Sequence, residues 1–183
     1  VKVDGAEATV DNVKAGAYKL SRPFNIATKG EPTGVAKDFI SFILSKEGQA
    51  VVTDNKYIAV NDAAESFVSD GSSGQIAVGG SSSVSPVMEK LIEAYKSVNP
   101  NASIDLQTSD STSGMTGAMD GTFAIGMASR ELKDEEAAQL TGTAIALDGI
   151  AVIVNPANTI DELSMDQIKS IYVGDITDWG ALA

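Results

Sequence analysis

The chain contains no cysteine and no histidine. The first absence removes disulfides and thiolate metal sites, and leaves the redox compartment open. The second removes the commonest general base and the commonest transition-metal ligand, so a Ser-His-Asp triad cannot be assembled. Positive charge is scarce: 13 Lys and Arg face 25 Asp and Glu, for a net charge of −12. Such a surface repels the phosphates of nucleic acid and of anionic lipid. It does not exclude one small anion held by neutral donors. Only two arginines occur, Arg22 and Arg130, each preceded by serine. Long apolar runs are missing too. The longest, Thr143 to Val154, is broken by Asp148 and is shorter than a membrane span. No signal-peptide pattern is visible at Val1, so the chain reads as a mature form or an excised fragment.

What is present is globular. The 183 residues are 43% hydrophobic, enough for a proper core. The opening predicts a short strand and a short helix. "AYKLSRPFNIATKG" has strand chemistry, with Pro23 suggesting an edge or a bend. Val35, Ala36, Phe39, Ile40 and Ile43 repeat at helical spacing, and Gly48 marks a break between two helical pieces. "KYIAV" is a short strand. Residues 61–73 are small, polar and without period, which predicts a connector. From residue 74 onward strands and helices alternate: "GQIAVGG", then a helix with Pro86 in its first turn, "ASIDLQTS", a short helix from "DSTSGM", "TFAIGMAS", an acidic helix, and a long strand "TAIALDGIAVIVN". The last helix carries a capping box, Ser164 with Gln167, and a Leu163/Ile168 staple. This alternation indicates an α/β sheet.

Three strand-to-helix junctions share a chemistry. "GGSSSVSP" and "TSDSTSGM" are rich in Ser, Thr and Gly, and "GMASREL" sets Ser129 beside Arg130. In an open α/β sheet such turns gather at the carboxyl edge, where ligands bind. Helix starts offer unpaired N–H groups and a partial positive charge of roughly half an electron, glycines permit close approach, and hydroxyls add donors. Together they make an oxyanion site from neutral dipoles. The bland alternative for each loop is an ordinary N-cap. Asp148, inside an apolar strand, needs a partner, and Arg130 is one candidate. The acidic run Asp134–Glu136 reads as a solvated helix face, and Trp179 as a packing residue.

The segments "IAVGGSSSVSPVMEKLIEAYKSVNP" through "MASRELKDEE", "IALDGIAVIVN" and "LSMDQIKSIYVGDITDWGAL" together resemble the first part of phosphate-binding proteins, the substrate-binding components of phosphate ABC importers. "GAYKLSRPFNIATKGEPTGVAKDFISFILSKEGQAVVTDNKYIAV" resembles the closing part of the same family. The order is reversed here, as in a circular permutation, natural or engineered, or in a fragment of a tandem protein. The family's second-lobe Ser-Gly-Thr-Arg loop is missing. The resemblance implies a periplasmic-binding-protein-like (type II) α/β fold, with one lobe spanning 1–183 and a mixed, mostly parallel sheet flanked by helices. That lobe is made of 1–60, the connector 61–73, and 74–183, without the second lobe. It implies binding of inorganic phosphate or a similar oxyanion by Ser82, Ser83, Ser111, Thr112, Ser113 and Ser129. Arg130, Asp110 and Asp148 are in support, Arg130 orienting the wall by pairing with a carboxylate. Many family members place an Asp where Ser129 stands, and Asp110 or Asp148 is then the remaining acceptor for a phosphate proton. No catalytic residue, metal or cofactor is expected. The implied partners are the importer's membrane subunits, and the implied location is extracytoplasmic, on a lipid anchor in the full-length protein. Two alternatives stay open: a hydrolase using a loop serine with Lys90 or Lys133, and an interaction domain that kept the fold and lost the ligand.

Overall fold

The computed structural model describes residues 1–182. They divide into two compact units: Arg22–Asp148, and a smaller one in which Val1–Ser21 joins the residues from Gly149 onward. The sequence predicts one lobe over the whole chain. The last long strand stops at Gly149, short of the expected Asn155, and the apolar residues beyond it belong to the smaller unit.

The larger unit is built on a six-stranded sheet. Its strands are β2 (Ser21–Thr28), β3 (Ile58–Ala59), β4 (Gly74–Ser81), β5 (Ala102–Ser109), β6 (Ile125–Ala128) and β7 (Thr141–Gly149), in the order β3-β7-β2-β6-β4-β5. β4 runs parallel to β5 and β6, whereas β2 is antiparallel to β6 and β3 to β7. The expected parallel character is therefore that of β5-β4-β6, and the strands from residues 1–60 bring the antiparallel pairs. These strands interleave with the later ones, so both segments share one sheet, as the resemblance implies. Pro23 lies in an interior strand, ahead of the paired residues Asn25, Ile26 and Ala27, where its missing N–H breaks none of those pairs.

Side chains alternate across the strands and feed two cores. On one face Phe24, Ile26, Ile125 and Met127 pack with α2 (Gly34–Leu44), α3 (Lys46–Asp54) and α4 (Ser85–Val98). On the other, Ala27 and Ala128 meet Met115 and Ala118 of α5 (Ser111–Asp120), with Leu140. Phe39, Ile43, Val87, Met88 and Leu91 are fully buried, each contributing about 1.5–3 kcal/mol. The break between the first two of these helices falls at Ser45, not Gly48. Ser45 adopts extended geometry and caps α3 by accepting from the Gly48 N–H at 3.2 Å. Gly48 sits inside α3 because a Cβ there would collide with the Phe42 and Ile43 carbonyls.

The smaller unit has a two-stranded parallel pair, β1 (Lys2–Val3) with β8 (Glu162–Leu163), the short α1 (Val10–Lys14), and α7 (Met165–Val173). Val3, Tyr18 and Leu163 are buried, and the Tyr18 hydroxyl donates to the Ile150 carbonyl at 2.7 Å. The predicted capping box forms: Ser164 accepts from the Gln167 N–H, and Gln167 accepts from the Ser164 N–H. Ile153 and Tyr172 are 87% and 86% exposed, an apolar surface this unit does not cover itself.

Candidate functional site

Register places the three junctions on one edge. Ser81, the last residue of β4, stands opposite Ser109, the last of β5, and Gly80 opposite Met127 of β6. The residues that follow, Ser82, Asp110 and Ser129, therefore leave the sheet side by side. β2 runs the other way, so Arg22 reaches the same edge from its start.

Hydrogen bonds tie the loops together. The Ser82 N–H donates to the Ser109 carbonyl at 2.9 Å, and the Ser129 N–H to the Ser111 hydroxyl at 3.1 Å. Buried Asn25, absent from the sequence-predicted set, donates to the Arg130 carbonyl at 2.9 Å. Its signal was a lone amide among Phe24, Ile26 and Ala27. Ser85 shares a 2.8 Å hydrogen bond with Thr108 beneath the first loop.

The two Ser-rich loops differ in chemistry. At α5 the bland reading holds in part. Asp110 is the N-cap, accepting from the Thr112 and Ser113 N–H groups at 2.8 and 3.0 Å, and from the Ser113 hydroxyl at 2.7 Å. The bonds from Ser113 and Thr112 hold its carboxyl below the ordinary carboxylate value. Ser113, predicted as a ligand donor, thus has its hydroxyl proton committed to Asp110. At α4 no side chain caps the helix, which has Pro86 at its start. Among the described residues, the Ser82 hydroxyl, the Ser83 N–H and hydroxyl and the Ser129 hydroxyl have no hydrogen-bond partner. Ser82 is exposed, and Ser83 and Ser129 are half-buried.

The charged residues sort differently from expectation. Arg130 makes a two-pronged pair with Glu136, at 2.7 and 2.8 Å, and reaches the Thr112 hydroxyl at 3.4 Å. Glu136 is buried, so the acidic run is not solvated throughout: α6 (Asp134–Ala137) turns this one carboxylate inward and leaves its neighbours outside. The Arg130 guanidinium holds the Glu136 carboxyl below the ordinary value against the opposing effect of burial. Asp148 pairs with Arg22 at 2.9 Å instead of with Arg130. Both candidate proton acceptors, Asp110 and Asp148, are therefore engaged within the protein.

The glycines of these loops serve packing. A Cβ on Gly79 or Gly117 would strike the Phe123 ring, which lies against both. A Cβ on Gly80 would collide with the Met127 carbonyl and lie 2.9 Å from the Gly114 Cα. They let α5 press onto β4 and β6, and by that route bring the loops together.

An α/β sheet with donor-bearing loops along the carboxyl ends of its parallel strands is the architecture of a ligand-binding lobe. The chain belongs to the PBP superfamily, whose domain model matches residues 66–182. It is 51% identical over its whole length to phosphate-binding protein PstS 2 of Streptococcus agalactiae, and spans 63% of that relative. A phosphate-binding protein of a phosphate ABC transporter from Streptococcus pneumoniae superimposes with a TM-score of 0.94 at 45% identity, covering all of this chain and 71% of the other. A putative phosphate ABC transporter substrate-binding protein from Clostridium perfringens, solved with bound phosphate, has a TM-score of 0.52 at 44% identity, over 60% of this chain and 45% of the other. The chain thus spans less than two thirds of the length of the curated streptococcal relatives it matches.

Proposed function

We propose that this edge is one wall of a phosphate site in the substrate-binding protein of a phosphate ABC importer. The observation that carries the proposal is the convergence of unpartnered donors at the uncapped start of α4. Ser82 and Ser83 lie there, and the register sets them beside Ser129 and next to Arg130, which Glu136 already pairs. The helix dipole adds a partial positive charge, and Arg130 offsets the charge of Asp110. Ser111 and Thr112 accept from the protein and keep their own hydroxyl protons for a ligand. The names of the streptococcal relatives support phosphate over another oxyanion. The importer's membrane subunits as partners, an extracytoplasmic location and a lipid anchor on the full-length protein are parts of the same proposal.

The segment order is natural in this reading. The streptococcal relative is matched across the entire chain, whereas the superfamily model covers only the part after residue 65. The second wall comes from polypeptide that those relatives have and these 183 residues do not.

The hydrolase reading finds no free base in either candidate lysine, since Lys133 lies 4.0 Å from the Glu135 carboxylate. Lys90 is ion-paired with Glu93 at 2.9 Å, and that contact pushes its pKa up, away from a neutral amine. We therefore assign a binding role and no catalysis.

One open wall competes poorly with hydration, so phosphate is expected to bind this chain with a Kd of about a millimolar, near 4 kcal/mol. A hydrogen bond to a charged group is worth roughly 1.5–3 kcal/mol, so Ser83→Ala should weaken binding by about tenfold or more without moving the unfolding midpoint. Isothermal titration of both proteins decides it, and equal affinities reject the role given to Ser83.

A further inference from the structure

Residues 61–73 contain no helix or strand, and their composition is that of a flexible linker. Hydrogen bonds and ring contacts nevertheless fasten them. The Lys46 N–H donates to the Glu65 carbonyl at 2.8 Å, and the Phe67 N–H to the Glu47 carboxylate at 2.7 Å. The Phe67 ring stands edge-on to Phe42 with centroids 5.2 Å apart, and 6.1 Å from Tyr95. The connector is mostly exposed, as the sequence predicts, yet Phe67 lays it over aromatic rings.

The centre of the fastening is Asp38 on α2, which is only 3% exposed. One carboxylate oxygen accepts from the Ser69 hydroxyl at 2.8 Å, the Tyr95 hydroxyl at 2.7 Å and the Asn99 amide at 3.1 Å. The other accepts from the Asp70 N–H at 2.8 Å. Asn99 also donates to the Ser72 carbonyl at 2.8 Å. No cation is among these partners. Burial pushes the Asp38 carboxyl up, but the bonds from Tyr95, Asp70, Ser69 and Asn99 outweigh it and hold the group below the ordinary carboxylate value. The proposed phosphate wall uses none of this. Tyr95 and Asn99 lie at the far end of α4 from Ser83, about 20 Å away at 1.5 Å per residue.

We propose that Asp38 is a latch: its buried carboxylate turns a linker-like sequence into an ordered strap that covers Phe42 and Tyr95 and closes the join between the two segments of the sheet. A buried charge satisfied only by neutral donors is costly to place, and half of its donors come from the strap itself. Remove the acceptor and the strap keeps only its composition, which favours disorder and proteolytic cutting.

The test is hydrogen exchange of the whole chain, with limited proteolysis alongside. Asp38→Asn keeps the volume, offers one acceptor oxygen in place of two, and turns an NH2 toward donors. It should speed exchange of the amides at 66–72 by about a hundredfold, open a cleavage site among them, and leave β4–β6 as protected as in the parent. Ser69→Ala removes one donor from the strap and cannot empty the core. It should speed the same amides by about tenfold, and it decides the matter alone if the Asn variant does not fold. Strap exchange unmoved in either folded variant overturns the latch. So does equal loss of protection in strap and sheet, which would make Asp38 an ordinary core residue.

Discussion

Gly80→Ala is expected to lower the stability of the larger unit by about 2–6 kcal/mol, a large share of what a lobe of this size has. Two costs add. Gly80 has φ of +136°, a region that L side chains rarely adopt, at about 1–3 kcal/mol. The new methyl would also collide with the Met127 carbonyl and the Gly114 backbone, and overpacking there costs about 1–3 kcal/mol more. Gly30→Ala is the matched control. Its φ is +71° and nothing lies within 4 Å of the added carbon, so it should cost only about 1 kcal/mol. Urea unfolding of the two variants measures the difference. Equal, small losses would show that close approach of α5 to β4 is not what Gly80 provides.

Glu136→Gln should cost about 2 kcal/mol at neutral pH. The side chain of Glu136 is 3% exposed and that of Arg130 30%, so the pair is buried on one side and partly solvated on the other. Breaking a fully buried pair costs about 3–5 kcal/mol, and the solvation of Arg130 reduces that here. The substitution also weakens the bond from the Lys133 N–H that starts α6. The pH dependence has a definite sign. The folded-state pKa of Glu136 is depressed, so its contribution is present above its unfolded value, about 4.3, and is lost as pH falls through the folded value. Parent and variant should therefore converge in stability on acidification below about pH 4. A variant as stable as the parent at neutral pH would remove the ion pair from the account.

Much of this was legible in the sequence for physical reasons. Alternating strands and helices force the β–α turns onto one edge, so the Ser82, Ser111 and Ser129 loops had to meet once the sheet was recognised. The Ser164/Gln167 box needs only local bonds, and it formed as read. What escaped depended on distant partners. Glu136 looked like one of three solvated carboxylates, because nothing local says that Arg130 folds back onto it. Asp38 lay three residues after Val35 and four before Phe42, on the apolar face of α2. A carboxylate at that spacing was the available signal of a buried polar cluster. Gly80 and Gly79 suggested room for a ligand, and the structure fills that room with Met127, Gly114 and Phe123. The end of the long strand at Gly149 was hidden because the run from Thr143 to Val154 stays apolar past it.

The central claim is that the start of α4 and the Ser129 turn form one oxyanion wall. Phosphate titration followed by amide chemical shifts tests it most directly. Saturable shifts at Ser82, Ser83 and Ser129, with a shared Kd of about a millimolar and strong attenuation in Ser83→Ala, are the predicted result. Shifts that never saturate, or that saturate at residues away from this edge, would contradict it.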